Sequence, residues 1–72
     1  MKTLDLSNQN FEQLPDIPDD IEWLNCTNYP NLMVIPDTLV NLKWLNCFNC
    51  PSLMVTPDTL VNLEWLNGKK IK

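Results

Sequence analysis

Apolar residues return along this chain in two interleaved patterns. Within short stretches they alternate, as in Leu4-Asp5-Leu6, Trp23-Leu24-Asn25-Cys26 and Trp44-Leu45-Asn46-Cys47. Strict alternation over a few residues predicts strands with one buried face. Over a longer range the whole word repeats: Ile21-Glu22-Trp23-Leu24-Asn25-Cys26, Leu42-Lys43-Trp44-Leu45-Asn46-Cys47 and Leu63-Glu64-Trp65-Leu66-Asn67-Gly68. Trp23, Trp44 and Trp65 stand 21 residues apart (44 − 23 and 65 − 44). A fixed period near twenty residues predicts a solenoid, in which no unit buries its apolar side alone and stacking supplies the core.

The period divides the chain into units of about 1–20, 21–41, 42–62 and a partial 63–72, expected to form a single domain. In the second unit the apolar positions are Ile21, Leu24, Cys26, Tyr29, Leu32 and Ile35, followed by Pro36; in the third they are Leu42, Leu45, Cys47, Cys50, Leu53 and Thr56, followed by Pro57. The first unit carries Leu4, Leu6, Phe11 and Leu14 before Pro15, with Gln9 in place of Tyr29 and Cys50. Each unit is expected to give one short strand with Leu24/Cys26 or Leu45/Cys47 inward, and Leu4/Leu6 and Leu66 continuing the rows. Consecutive strands stack in parallel ~4.8 Å apart. Prolines then bar a ladder or a long helix. The return leg, Asp37-Thr38-Leu39 or Asp58-Thr59-Leu60, is expected as extended chain or one turn of 3₁₀ helix.

These in-phase positions resemble the leucine-rich repeat, in its short Cys- and Pro-containing form of 20–21 residues. Similar repeats occur in proteins of giant DNA viruses of amoebae and in bacterial type III secreted effectors. The resemblance implies an α/β-type solenoid with little helix: a parallel β-sheet on the concave face and an irregular or 3₁₀ convex side. It also implies protein recognition through the concave face. The ubiquitin-ligase domain that such effectors often carry has no room in 72 residues. The chain departs from the pattern at the Trp of the first outward position, at Thr56 and in the lack of polar caps.

In that register Trp23, Trp44 and Trp65 point outward, with Asn25, Asn46 and Asn67 beside them and Thr27 and Phe48 extending the face. Two readings stand for the Trp row: cross-strand packing that stabilises the sheet, and an exposed aromatic strip that anchors a partner. Asn28 and Asn49, just past the strands, read as turn residues. Met33, Val34, Val40, Met54, Val55 and Val61 repeat in phase off the inward rows. They read as lateral filling or as an outer contact surface.

Composition narrows the function. The chain holds 9 Asp and Glu against 5 Lys and Arg, a net charge of −4, and no His. That balance argues against nucleic acid as a partner. No apolar run reaches the ~18 residues of a membrane span, and the N-terminus lacks the form of a signal segment. The 3 Cys fit free thiols in a reducing compartment, so a cytoplasmic or intracellular location is expected, host cytoplasm or virion if the source is viral. Cys47-Phe48-Asn49-Cys50 is a C-x-x-C, but zinc wants four ligands, and Tyr29 and Gly68 occupy the equivalent repeat positions. The cysteines are therefore read as core. Asp37 and Asp58 recur beside prolines and read as turn residues; Lys69, Lys70 and Lys72 read as protection of an edge. There is no acid–base or nucleophile constellation, so neither enzyme chemistry nor a metal nor a cofactor is expected.

The expectation is a non-catalytic protein–protein interaction module whose site is Trp23, Trp44, Trp65, Asn25, Asn46, Asn67, Thr27 and Phe48. The alternative is a structural assembly component, such as a minor virion protein. Open apolar ends, Leu4, Leu6 and Phe11 on one side and Leu66 and Ile71 on the other, predict self-association or a place in an oligomer or larger complex.

Overall fold

The computed structural model describes residues 1–9, 14–53 and 60–71. Phe11, Met54, Val55, Thr56, Pro57, Asp58, Thr59 and Lys72, which carry some of the expectations above, lie outside the described residues. Among the described residues five strands form one sheet in chain order: β1 (Thr3–Asp5), β2 (Trp23–Asn25), β3 (Trp44–Asn46), β4 (Trp65–Leu66) and β5 (Lys69–Lys70). β1 to β4 pair in parallel and β5 returns antiparallel to β4. Each parallel neighbour is reached through one traverse of the repeat, which is why the period and the sheet order coincide.

The repeat sets the register. Thr3, Trp23, Trp44, Trp65 and Lys70 form one row across the sheet, and Leu4, Leu24, Leu45, Leu66 and Lys69 the next. Between coils the same hydrogen bonds recur. The carbonyl of Lys2 accepts from both Glu22 N–H and Trp23 N–H, that of Glu22 from Lys43 and Trp44, and that of Lys43 from Glu64 and Trp65, at 2.8–3.2 Å. One carbonyl serving two amides gives every coil the same entry into its strand. Exit is equally repetitive. Asn8, Asn28 and Asn49 have φ of 62°, 69° and 56°. Asn tolerates this left-handed region because its short amide bonds locally. The amide of Asn49 donates to Asn28 Oδ1 at 2.9 Å, and that of Asn28 donates to Asn8 Oδ1. The turn role of Asn28 and Asn49 is thus observed, and Asn8 belongs with them.

The core runs along the stack: Ile21, Leu24, Cys26, Tyr29, Leu32, Ile35, Leu39, Leu42, Leu45, Leu60 and Leu63 are buried. Leu39 and Leu60, on the return leg, are full core members that strand alternation alone does not reveal. Leu4, Leu6, Leu66, Cys47, Cys50 and Leu53 pack against this core while only partly buried, because the end coils lack a neighbour on one side. Polar staples tie the coils on the return side. Asn41 donates to the Asp19 carbonyl at 3.0 Å, and Asn62, one repeat on, donates to that of Val40 at 2.9 Å.

Three expectations are corrected. The described residues contain no helix, and the return leg at Asp37–Thr38 is a turn, neither extended nor 3₁₀; the Val40 N–H bonds the Thr38 carbonyl at 2.9 Å, a tighter turn in place of the three-residue bonds of a 3₁₀ run. Asn67 does not continue the strand row: at φ 51°, followed by Gly68 at φ 79°, it forms a two-residue turn. Positive φ at both central residues matches the twist of a tight hairpin, which Asn-Gly favours. Lys69 and Lys70, expected to shield an edge, are therefore themselves the fifth strand, and the described sheet ends on this side in a polar hairpin.

Candidate functional site

The face opposite the buried leucines is organised by the Trp row. Leu24 and Leu45 are fully buried, so their neighbours Trp23, Asn25, Trp44 and Asn46 project to the other side and are half-buried. Trp65 follows in register. The three indoles thus lie on adjacent strands in register, each half-buried and partly open to solvent.

The residues around it differ from one another. Asn25 Oδ1 accepts from the amide and hydroxyl of Thr27, at 3.2 and 2.6 Å, which shapes the strand exit. Asn46 sits in the same row one strand on, and among the described residues its carboxamide has no protein partner. Its backbone carbonyl accepts from Cys26 N–H at 2.8 Å. Asn67, displaced into the hairpin turn, accepts Cys47 N–H on its side-chain oxygen at 2.7 Å. That contact replaces the backbone carbonyl which Asn46 supplies to Cys26 in the preceding coil. Of the three Asn in the expected surface, Asn25 and Asn67 have their side-chain oxygens engaged, whereas both ends of the Asn46 carboxamide are without a partner among the described residues.

Phe48 is exposed in the turn after β3 and lies to one side of the Trp strip. With Pro30, Cys47, Asn49, Cys50, Pro51 and Asn67 it lines an open groove of about 580 Å³. The Cys50 thiol donates to the Cys26 carbonyl at 3.2 Å. Tyr29, at the equivalent repeat position, donates its hydroxyl to the Leu6 carbonyl at 2.5 Å. Both side chains therefore act as inter-coil staples. Burial, with a lesser contribution from the neighbouring thiols, pushes the Cys26 thiol up to about 12, and burial likewise raises Cys47. These two thiols stay protonated at neutral pH and are poor nucleophiles. Among the described residues no three His, Cys, Asp or Glu side chains converge to hold a metal ion.

A charged row, which alternation of apolar residues does not reveal, borders the Trp strip. The residue before each strand word is Lys2, Glu22, Lys43 or Glu64, alternating in sign from coil to coil. Lys43 lies 3.5 Å from Glu22, and Lys2 pairs with Asp20 at 2.5 Å. Both pairs are partly exposed, and such pairs contribute little stability. Their effect is to keep one edge of the strip polar and nearly neutral. The signal was present in the sequence as the residue preceding each Trp, and it shows only when the units are aligned.

Among the described residues no helix is long and apolar enough to cross a membrane. Comparison with protein-family models, with curated proteins and with solved structures finds no match.

Proposed function

We propose that the chain is a short leucine-rich-repeat solenoid serving as a non-catalytic protein-interaction module, with its partner laid along the Trp face. The observation that carries this reading is the registered row Trp23, Trp44 and Trp65, half-open on the side away from the core. Aromatic side chains offer large contact area at low entropic cost and dominate binding hot spots. Asn46 supplies the one uncommitted carboxamide beside them, and Phe48 a flanking apolar contact. The parallel, one-strand-per-coil sheet and the 21-residue period support the repeat class, and three free thiols support a reducing compartment.

The test compares wild-type chain with Trp44→Ala and Trp44→Tyr in crosslinking and capture from the native source, alongside urea unfolding. Binding in this mode means that Trp44→Ala loses a captured protein by several-fold or more, Trp44→Tyr keeps most of it, and all three chains remain folded. Unfolding of Trp44→Ala, with Trp44→Tyr stable, would assign the row to sheet packing instead.

A second reading is favoured by a separate observation. Met33, Val34, Val40 and Val61 are exposed, Val34 by 66% and Met33 by 62%. Apolar residues recurring in phase on the outer surface suit a structural component held among other subunits, a minor virion protein for example. Folding of the isolated chain as a monodisperse species at all concentrations counts against that reading.

A further inference from the structure

The two edges of the sheet are chemically unlike. On β1 the Lys2 carbonyl and the Leu6 and Asn8 amides face β2, so by strand alternation Thr3 and Asp5 turn their N–H and C=O groups away from the sheet. No described residue pairs with them. On β5 the tight turn directs Lys69 toward β4, and the Ile71 amide bonds the Glu64 carbonyl at 2.8 Å. Lys70 between them therefore turns its N–H and C=O outward. The β1 end of the molecule carries exposed Asp5, Asp16 and Asp19, and Lys2 there is already held by Asp20. The β5 end carries exposed Lys69 and Lys70.

We propose that these edges are the two halves of a head-to-tail contact between copies of this chain, with β5 of one copy adding antiparallel to β1 of the next and Lys70 opposite Asp5. Three features meet in that register. Lys70 and Asp5 both direct their backbone groups outward, so the two residues exchange a pair of main-chain hydrogen bonds. Their side chains fall on the same face, where the ammonium and the carboxylate stand across from one another. One residue further, Ile71, half-exposed, falls opposite Leu4, partly buried at the open end of the core. That contact covers apolar surface on both copies. Alternative pairings are disfavoured by charge. Joining two β1 edges with their leucines aligned, Leu4 against Leu6, sets Asp5 against Asp5; joining two β5 edges sets lysine against lysine. Like charges directly opposed in a sheet are destabilising and select against the wrong partner. The contact is heterologous, so each added copy leaves a fresh β1 edge at one end and a fresh β5 edge at the other, and growth is open-ended.

The proposal is independent of the Trp-face reading, because Trp44 lies on the central strand and touches neither edge. The experiment measures weight-average mass by sedimentation equilibrium from micromolar to millimolar chain. Conditions are about 50 mM and about 500 mM salt, since screening separates the charge-driven part. Wild-type mass rises with concentration past the dimer and falls at high salt. Asp5→Lys and Lys70→Asp each weaken association by about tenfold or more. Mixed in equal amounts they associate again, because each supplies the charge that the other lacks. Asp5→Asn and Lys70→Gln, milder changes, give an intermediate loss should either charge reversal perturb folding, which circular dichroism reads. A wild-type chain that stays monomeric throughout, single reversals that associate as wild type does, or a mixture that stays monomeric overturns the proposal.

Discussion

At position 26 the repeat sets a thiol where the first coil carries Leu6 and the last carries Gly68. Cys26 is fully enclosed, and its neighbour Cys47 is half-buried under the hairpin turn. Burial disfavours the thiolate, so the Cys26 pKa rises from 9.0 to about 12 on folding. The linkage sign follows directly. Below pH 9 the thiol is neutral in both states and its burial is fully stabilising. Between pH 9 and 12 the unfolded chain gives up this proton while the folded one holds it, so stability falls as pH rises. One such group costs at most ~1.4 kcal/mol per pH unit in that window. Melting temperature should therefore drop from pH 9 upward, and Cys26→Ala, though less stable at neutral pH, should show a flatter alkaline slope. An equal slope in the two proteins would place the titration elsewhere, at Cys47 or at Tyr29, both also raised by burial. Alkylation at neutral pH gives a second readout: Cys26 should resist iodoacetamide until urea unfolds the chain.

At the scale of the element, the closing hairpin shows where a strong period conceals a local signal. Asn67-Gly68 stands where the preceding coils have Asn46-Cys47, so alignment of the units reads it as an unfinished strand. Read locally, Asn-Gly between two short strand segments is a hairpin turn, and the backbone takes that option. The period, the strand rows and the buried Leu24 and Leu45 were legible because they recur with every coil. The closure, the Asn67 side chain replacing a backbone acceptor and the staple role of Tyr29 and Cys50 were not, because each depends on which coil lies next to it. Gly68 decides the turn through its backbone. A Cβ added there meets nothing within 4 Å, yet φ is +79°. Gly68→Ala should cost ~1–2 kcal/mol of local conformational energy. Its effect should be confined to β5: faster hydrogen exchange at the Ile71 amide, which bonds Glu64, with the amides of β3 little changed. Unchanged protection at Ile71 would mean that the hairpin does not depend on this turn.

For the whole molecule, stability belongs to the stack rather than to any coil. Among the described residues every strand is three residues or shorter, and neighbours in the sheet are neighbours in the chain. The extents are only 27 × 22 × 18 Å, so there is little interior to share. A protein of this length has roughly 4–11 kcal/mol of stability at ~0.05–0.15 kcal/mol per residue. Leu45 is fully buried on the central strand, between Leu24 and Leu66 of its row. Truncating such a residue costs ~3–5 kcal/mol, because packed neighbours on both sides prevent the cavity from collapsing. Leu4 has the same repeat position, but it is only partly buried and lacks a coil on its outer side. Its truncation exposes little new apolar surface, and the edge relaxes around it at a cost of ~1–2 kcal/mol. Leu45→Ala should accordingly lower the urea midpoint markedly, whereas Leu4→Ala should shift it modestly, each keeping a single transition. If coils folded as separate units, the two substitutions would cost alike and Leu45→Ala would split the transition, with a smaller slope in each part. A single steep transition, moved far by Leu45→Ala and little by Leu4→Ala, is what a core continuous through the central coils requires, and it is measurable on the isolated chain.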